Sequence, residues 1–252
     1  TLSPAPALSA AVKTLLVFAR SRATRTMIIA GMLTAIVMAM RAGLDLYMLL
    51  YFWGFAHPQI VLLTIVSAAG ALAGAVLAPR ISIVIGKKRA AIAAYSLSLI
   101  NAVAPIMLKL AGLMPPNGSP ALLTSMSAVA AATGLLFVVT SVLMSSMLAD
   151  VADEIAANSG ERVEGALFSI DQFFSKAISG LGVLLSAWLL TVAASASQPA
   201  AVSAEQMMRL AAWYAPLQVI VTVGAIMALA RYPLGEAEHT ANVNRIANRA
   251  RG

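Results

Sequence analysis

The chain has 252 residues, of which 60% are hydrophobic and only 11% charged, with a mean hydropathy of +0.87. Soluble domains carry about a quarter charged residues, so this composition excludes an ordinary soluble domain and leaves an integral membrane protein. The lack of cysteine excludes disulfides, thiolate catalysis and cysteine metal sites, and the net charge of +7 sits at the ends of apolar runs, which argues against a nucleic-acid-binding face.

Residues 1–26 open with TLSPAPALSAAVKTLLVFARSR, a mildly amphipathic stretch without the charged head and compact apolar core of a cleavable signal. Six long apolar runs follow, at about 27–52, 60–85, 90–113, 121–148, 165–194 and 207–232. Each exceeds the roughly 20 residues that carry a helix across a bilayer core. A spanning segment must also satisfy its own backbone hydrogen bonds, which selects helix over strand. The expected fold class is an all-α integral membrane protein with a six-helix transmembrane bundle over 27–232 and a polar, mixed-charge tail over 233–252.

The connections fix the expected orientation. FAHPQ at 55–59, MPPNGSP at 114–120 and SASQPAAVSA at 195–204 contain no Lys or Arg. Basic residues gather instead before the first run (Lys13, Arg20, Arg22, Arg25), between the second and third (Arg80, Lys87, Lys88, Arg89), in the fourth connection (Arg162) and after the last run (Arg231, Arg245, Arg249, Arg251). By the positive-inside rule those segments face the cytoplasm, so a multi-pass protein of the plasma (inner) membrane with both ends of this chain cytoplasmic is expected. His57 and His239 lie far apart in expected loops, so no metal or cofactor site is expected. No nucleophile–base pair or phosphate loop suggests an enzyme.

Charged side chains inside a span cost about 2.5–3.5 kcal/mol on insertion scales, which makes each one a candidate site. Arg41 and Asp45 are four apart and share a helix face: they form either a self-neutralising ion pair or part of a cavity, gate or coupling network. In the fifth run Ser169, Gln172, Lys176 and Ser179 recur at spacings of three, four and three and draw one polar stripe. That stripe is expected to face water or a solute, the alternative being hydrogen bonds to neighbouring helices. Asp171 lies about 140° around the helix from Lys176, so it is expected to reach a neighbouring helix, either as a protonatable site or in a fixed salt bridge with Arg41 or another cation. Gly70 and Gly74 within SAAGALAGA, and SGLG at 179–182, mark tight helix packing, and Pro105 and Pro216 fall inside spans.

Two stretches resemble a known family. LAPRISIVIGKKRA at 77–90 is similar to the loop between the second and third helices of a major-facilitator half. LADVADEIAANSGERVEGALFSIDQFFSKAISGLG at 148–182 resembles the last cytoplasmic loop and eleventh helix of the glycoside-pentoside-hexuronide:cation symporters, the melibiose-permease-like branch of the major facilitator superfamily. RAGLDLYMLLYFWG at 41–54 and RYPL at 231–234 look like that family's seventh-helix and post-twelfth-helix segments.

The resemblance implies that the six helices are the carboxy-terminal half of a twelve-helix transporter whose missing amino-terminal six-helix half is the partner, with residues 1–26 as the end of the central loop. It implies a substrate and cation cavity that includes Lys176 and Gln172, with Arg41, Asp45, Asp171 and Ser169 on the same wall. Asp150, Asp153, Arg162 and Glu164 match charged positions of an inner cytoplasmic gate. Two departures stand out: Glu154 replaces a frequent aromatic, and Asp171 replaces a glutamine, an added acid that favours proton coupling or a different ligand. The implied function is cation-coupled symport of a sugar or glycoside by alternating access, with Na⁺ or H⁺ as coupling ion, membrane lipid around the bundle and no further cofactor. The rival expectations are a six-helix scaffold or regulatory half-transporter without transport of its own, and the same fold carrying a lysolipid or organic anion.

Overall fold

The computed structural model describes residues 21–159, 164–193 and 203–233. The regular structure in them is helical: α1 (Arg22–Tyr47) running into a π-helical turn (Met48–Phe52), α2 (His57–Ile85), α3 (Lys87–Leu110), α4 (Pro120–Ser159), α5 (Glu164–Ala193) and α6 (Ala204–Ala230). Six helices, counting the π turn with α1, are long and apolar enough to cross a membrane.

Local chemistry sets the helix ends. Ser21 caps α1 by accepting from the Thr24 amide at 3.2 Å. Ser203 accepts from the Gln206 amide at 3.2 Å while the Gln206 side chain accepts from the Ser203 amide at 2.9 Å, a reciprocal cap on α6. Between α2 and α3 the chain reverses through Gly86 alone, at φ +80° and ψ 148°. That backbone region is open to glycine and strained for other residues.

In a bilayer the lipid tails are as apolar as the side chains, so helices associate by close fit rather than by hydrophobic transfer. The glycines show where that fit is tightest. A Cβ at Gly70 would run into the Ala131 carbonyl, one at Gly74 would lie 2.5 Å from that of Leu135, and one at Gly134 would strike that of Ser67. Positions four apart on α2 thus meet positions four apart on α4 in the same order, so these helices run parallel with their backbones in contact.

A second parallel pair forms between α1 and α5. Gly31 faces Asp171 and Ser175, Gly182 faces Ile36, and Gly43 faces Ser186. This register sets Lys176 level with Leu33, and Trp188 level with Asp45. Helix α6 runs antiparallel to α1, with Gly224 beside Leu33 and Tyr214 near Arg41.

Two apolar cores fill the bundle. One lies toward the end rich in basic residues (Met27, Ala30, Tyr95, Met147, Leu229). The other lies toward the opposite end (Met40, Leu44, Phe52, Leu122, Leu210).

The fourth helix differs from the sequence expectation. It continues through ADVADEIAANS to Ser159 instead of stopping near residue 148. The reason is amphipathic packing: Leu148, Val151, Ala152 and Ile155 are all buried, at the i, i+3, i+4, i+7 spacing of one helix face. Asp150 and Asp153, expected in a loop near a helix end, therefore stand on a helix that is well formed around them.

Candidate functional site

The polar stripe of α5 points out of the bundle. Ser169, Gln172 and Lys176 are exposed and Ser179 is half-buried, while buried residues of the same helix, Leu167, Gly182, Ser186 and Leu189, face inward. Ser169 and Ser179 donate back to the carbonyls of Gly165 and Lys176, each at 2.7 Å, so their hydroxyl protons are used within the helix. Their oxygens, with the Gln172 amide and the Lys176 ammonium, remain as the polar groups of an otherwise apolar surface that includes Phe173, Leu181 and Leu184.

Asp171 occupies a different place from the stripe. It lies half-buried in the α1–α5 seam, its Oδ1 3.0 Å from where a Gly31 Cβ would stand, with Ser175 Oγ at 3.6 Å from the same point. One helical turn further along α1, the Thr34 hydroxyl lies 2.8 Å from the Tyr95 hydroxyl of α3. Asp171 is near enough to act electrostatically on Tyr95. Among the described residues Asp171 has no ion-pair partner, so the fixed salt bridge to Arg41 or another cation, one of two alternatives read from the sequence, is not formed. The register explains why: Arg41 is ten positions beyond Gly31, about 15 Å along the helix axis.

Arg41 and Asp45 form a second polar group at greater depth from the basic end. They share a face as their spacing requires, yet their charged groups do not come into ion-pair contact, so the closed ion pair, one of two alternatives read from the sequence, is not formed. Asp45 is exposed and Arg41 half-buried, and both act electrostatically on the buried Tyr214 of α6. The π turn begins three residues after Asp45. Such wider turns recur at functional sites because they re-aim the side chains beside them.

A latch that sequence reasoning missed holds this turn. Lys109, in the last turn of α3, donates to the Phe52 carbonyl and, at 2.6 Å, to Asn117 Oδ1. Its ammonium lies 4.5 Å from the Phe52 ring centroid and 4.6 Å from that of Trp53. Asn117 Nδ2 donates to the same Phe52 carbonyl at 3.2 Å. Gly54, at φ +69°, leaves room for Asn117, which would stand 2.9 Å from a Cβ there.

At the basic end Asp150 is buried and receives the Lys87 ammonium at 2.6 and 2.9 Å. Lys88 donates to the Tyr232 carbonyl at 2.7 Å, and the Tyr232 hydroxyl donates to the Met147 carbonyl at 3.1 Å. These contacts tie α3, α4 and the end of α6 together. Of the residues expected to form a gate, Asp150 is thus engaged inside the bundle, Asp153 is half-buried and Glu164 is exposed in the first turn of α5. Arg162 lies outside the described residues. Among the described residues no group of three or more acidic or histidine side chains could hold a metal ion.

Six spanning-length helices among the described residues, one of them with a polar face turned outward, define a multi-pass membrane protein. The chain matches the family described as MFS/sugar transport protein over residues 5–236, most of its length, and it belongs to that family. Comparison with the curated proteins gave no match.

Proposed function

We propose that this chain is the carboxy-terminal six-helix half of a cation-coupled symporter that moves a sugar or glycoside by alternating access. The observation that carries the reading is the outward polar face of α5. An ammonium at Lys176 is costly against lipid, so Lys176, Gln172 and Ser169 face a watery cavity closed by a second six-helix half. Within a family of sugar transporters, an ammonium and an amide on that wall suit the hydroxyl-rich surface of a sugar, which offers both donors and acceptors.

In this reading the register divides the work by depth. Lys176, Gln172 and Ser169 bind solute level with the first half of α1, while Arg41 and Asp45 line the cavity nearer the π turn. The basic end faces the cytoplasm, where the Lys87–Asp150 pair stiffens the bundle and Asp153 and Glu164 meet the other half as the inner gate. The coupling cation, Na⁺ or H⁺, links to the solute because each binds some conformations better than others; a ligand with equal affinity for all of them shifts nothing.

The test is uptake of labelled glycosides by membrane vesicles containing the full-length protein. Lys176→Ala is expected to abolish uptake or reduce it at least tenfold while leaving the amount of inserted protein unchanged. Normal coupled uptake by that variant would refute the assignment of the cavity wall.

A further inference from the structure

We propose that Asp171 is a proton-binding site: its carboxylate takes up one proton from one side of the membrane and, after the conformational change, releases it to the other. The coupling of that proton to a solute rests on the transport reading above. The protonation itself does not.

Four observations carry the site. Asp171 lies in the α1–α5 seam rather than on the open face, close against Gly31 and half-buried, so part of its carboxyl is open to a proton. It makes no hydrogen bond or ion pair among the described residues, although carboxylates within membrane spans are almost always partnered.

The third observation is a polar pair one turn along α1. Thr34 donates its one hydroxyl proton to the Ala30 carbonyl at 2.7 Å. In the 2.8 Å contact between the two hydroxyls Tyr95 is therefore the donor, so its phenol oxygen keeps free lone pairs in the neighbourhood of Asp171, without a hydrogen bond between them. Fourth, Asp171 stands apart from other carboxylates and histidines among the described residues, and a proton needs only a single carboxylate.

Titratable and charged groups surround the site on every helix packed near it. From α3 the titratable neighbour is Tyr95. On α1, Arg22 and Arg25 lie nine and six positions before Gly31, and Arg41 and Asp45 ten and fourteen past it; Tyr214 of α6 lies near the latter pair, and Arg231 ends α6 at the basic end. On α4, Asp150 is held by Lys87 and Glu154 accepts from Ser21 at 3.5 Å, with Asp153 beside them at the basic end. On α5 itself Lys176 is turned about 140° away and Glu164 stands in the first turn.

The experiment uses the full-length protein reconstituted in liposomes, read by pH-difference infrared spectroscopy and by transport. In the wild type the carbonyl stretch of a protonated carboxyl is expected to appear as pH falls. Asp171→Asn should lose that band, lose accumulation of labelled glycoside driven by a pH gradient, and keep glycoside exchange across the membrane. Tyr95→Phe, which preserves the buried ring, should keep the band and shift its titration midpoint.

A band that persists in Asp171→Asn, uphill accumulation that survives in it, or loss of exchange together with accumulation would each overturn the proposal. If Asp171→Asn fails to insert, Tyr95→Phe decides, and an unmoved midpoint refutes the site. A wild type that moves no glycoside would refute the transport reading instead, and the infrared band would then decide the proton site alone.

Discussion

Replacing Lys109 by methionine tests whether the latch holds the end of α1. The substitution keeps an unbranched apolar stem and removes the ammonium, which donates to the Phe52 carbonyl and to Asn117 and sits over two aromatic rings. A hydrogen bond from a charged group contributes about 1.5–3 kcal/mol net, and a cation–π contact about 0.5–2 kcal/mol. These contributions share one ammonium and do not add. Removing the charge also relieves the desolvation of a half-buried cation, and Asn117 still ties the Phe52 carbonyl at 3.2 Å. The net loss is expected to be about 2 kcal/mol.

Asn117→Ala removes two bonds but leaves Lys109 on Phe52 and the rings, so about 1 kcal/mol is expected. The double variant should cost about 2.5 kcal/mol rather than 3, because the Lys109–Asn117 bond, about half of the Asn117 loss, is counted in both single variants. Reversible unfolding by SDS in mixed micelles, followed by tryptophan fluorescence, measures all three; Trp53, beneath the ammonium, reports the local change. A Lys109→Met variant within 0.5 kcal/mol of the parent, or strict additivity in the cycle, would refute the latch.

Two further outcomes follow from the packing. Gly134→Ala would push a methyl into the Ser67 carbonyl across the α2–α4 seam and is expected to cost about 1–3 kcal/mol, whereas Gly165→Ala, with nothing within 4 Å of the new Cβ, should be neutral or stabilise by up to about 1 kcal/mol; equal effects in the same SDS titration would count against backbone contact as the glue of the seam. Tyr232→Phe removes a buried hydroxyl bond to the Met147 carbonyl and should lower stability by at least about 1 kcal/mol, with hydrogen exchange rising first at the end of α6; an unchanged exchange profile there would show that this bond does not hold the helix end.

Much of the architecture was legible because each spanning helix carries its own signal. A run of apolar residues has no alternative to helix in lipid, and the GxxxG pair Gly70 and Gly74 marked a tight packing face on α2, although not the helix α4 that meets it. The extension of α4 was also legible in principle: Leu148, Val151, Ala152 and Ile155 repeat at helical spacing, but Asp150, Asp153 and Glu154 between them gave the segment the composition of a loop. The stripe on α5 could be read for the same reason as the spans, since its members share one helix and spacing alone places them on one face.

What could not be read lies between helices. Thr34 and Tyr95 are 61 positions apart, and no local period links them. Arg41 and Asp45 show the opposite failure, because a shared face permits an ion pair without requiring it, and their charged groups stay beyond ion-pair contact. Gln218 and Thr222, buried on α6 with Oε1 and Oγ1 unpartnered among the described residues, did carry a signal in their sequence, polar residues set in the apolar run LQVIVTVG. Such groups are expensive to bury, and buried orphans of this kind are commonly met by water. The α1–α6 register puts them between the level of Thr34 and that of Arg41.

That placement joins the separate polar features into one line of reasoning about α1. Its first half carries Gly31 and Thr34 beside Asp171 and Tyr95; its second half carries Arg41 and Asp45 and ends in a π turn that Lys109 holds from α3. A π turn breaks the regular bonding of a helix and persists where surrounding contacts over-determine it, so the segment past Asp45 owes its shape to contacts such as those of Lys109 and Asn117. In the proposed transport cycle, motion of α1 at that end would have to break the Lys109 contacts, whereas motion at the other end would have to move Gly31 against Asp171. A proton on Asp171 removes a charge from that second contact and leaves the first untouched. The cycle would therefore assign ion coupling to the basic half of α1 and outer closure to the π-turn half, and Lys109→Met should weaken closure while leaving the Asp171 infrared band in place.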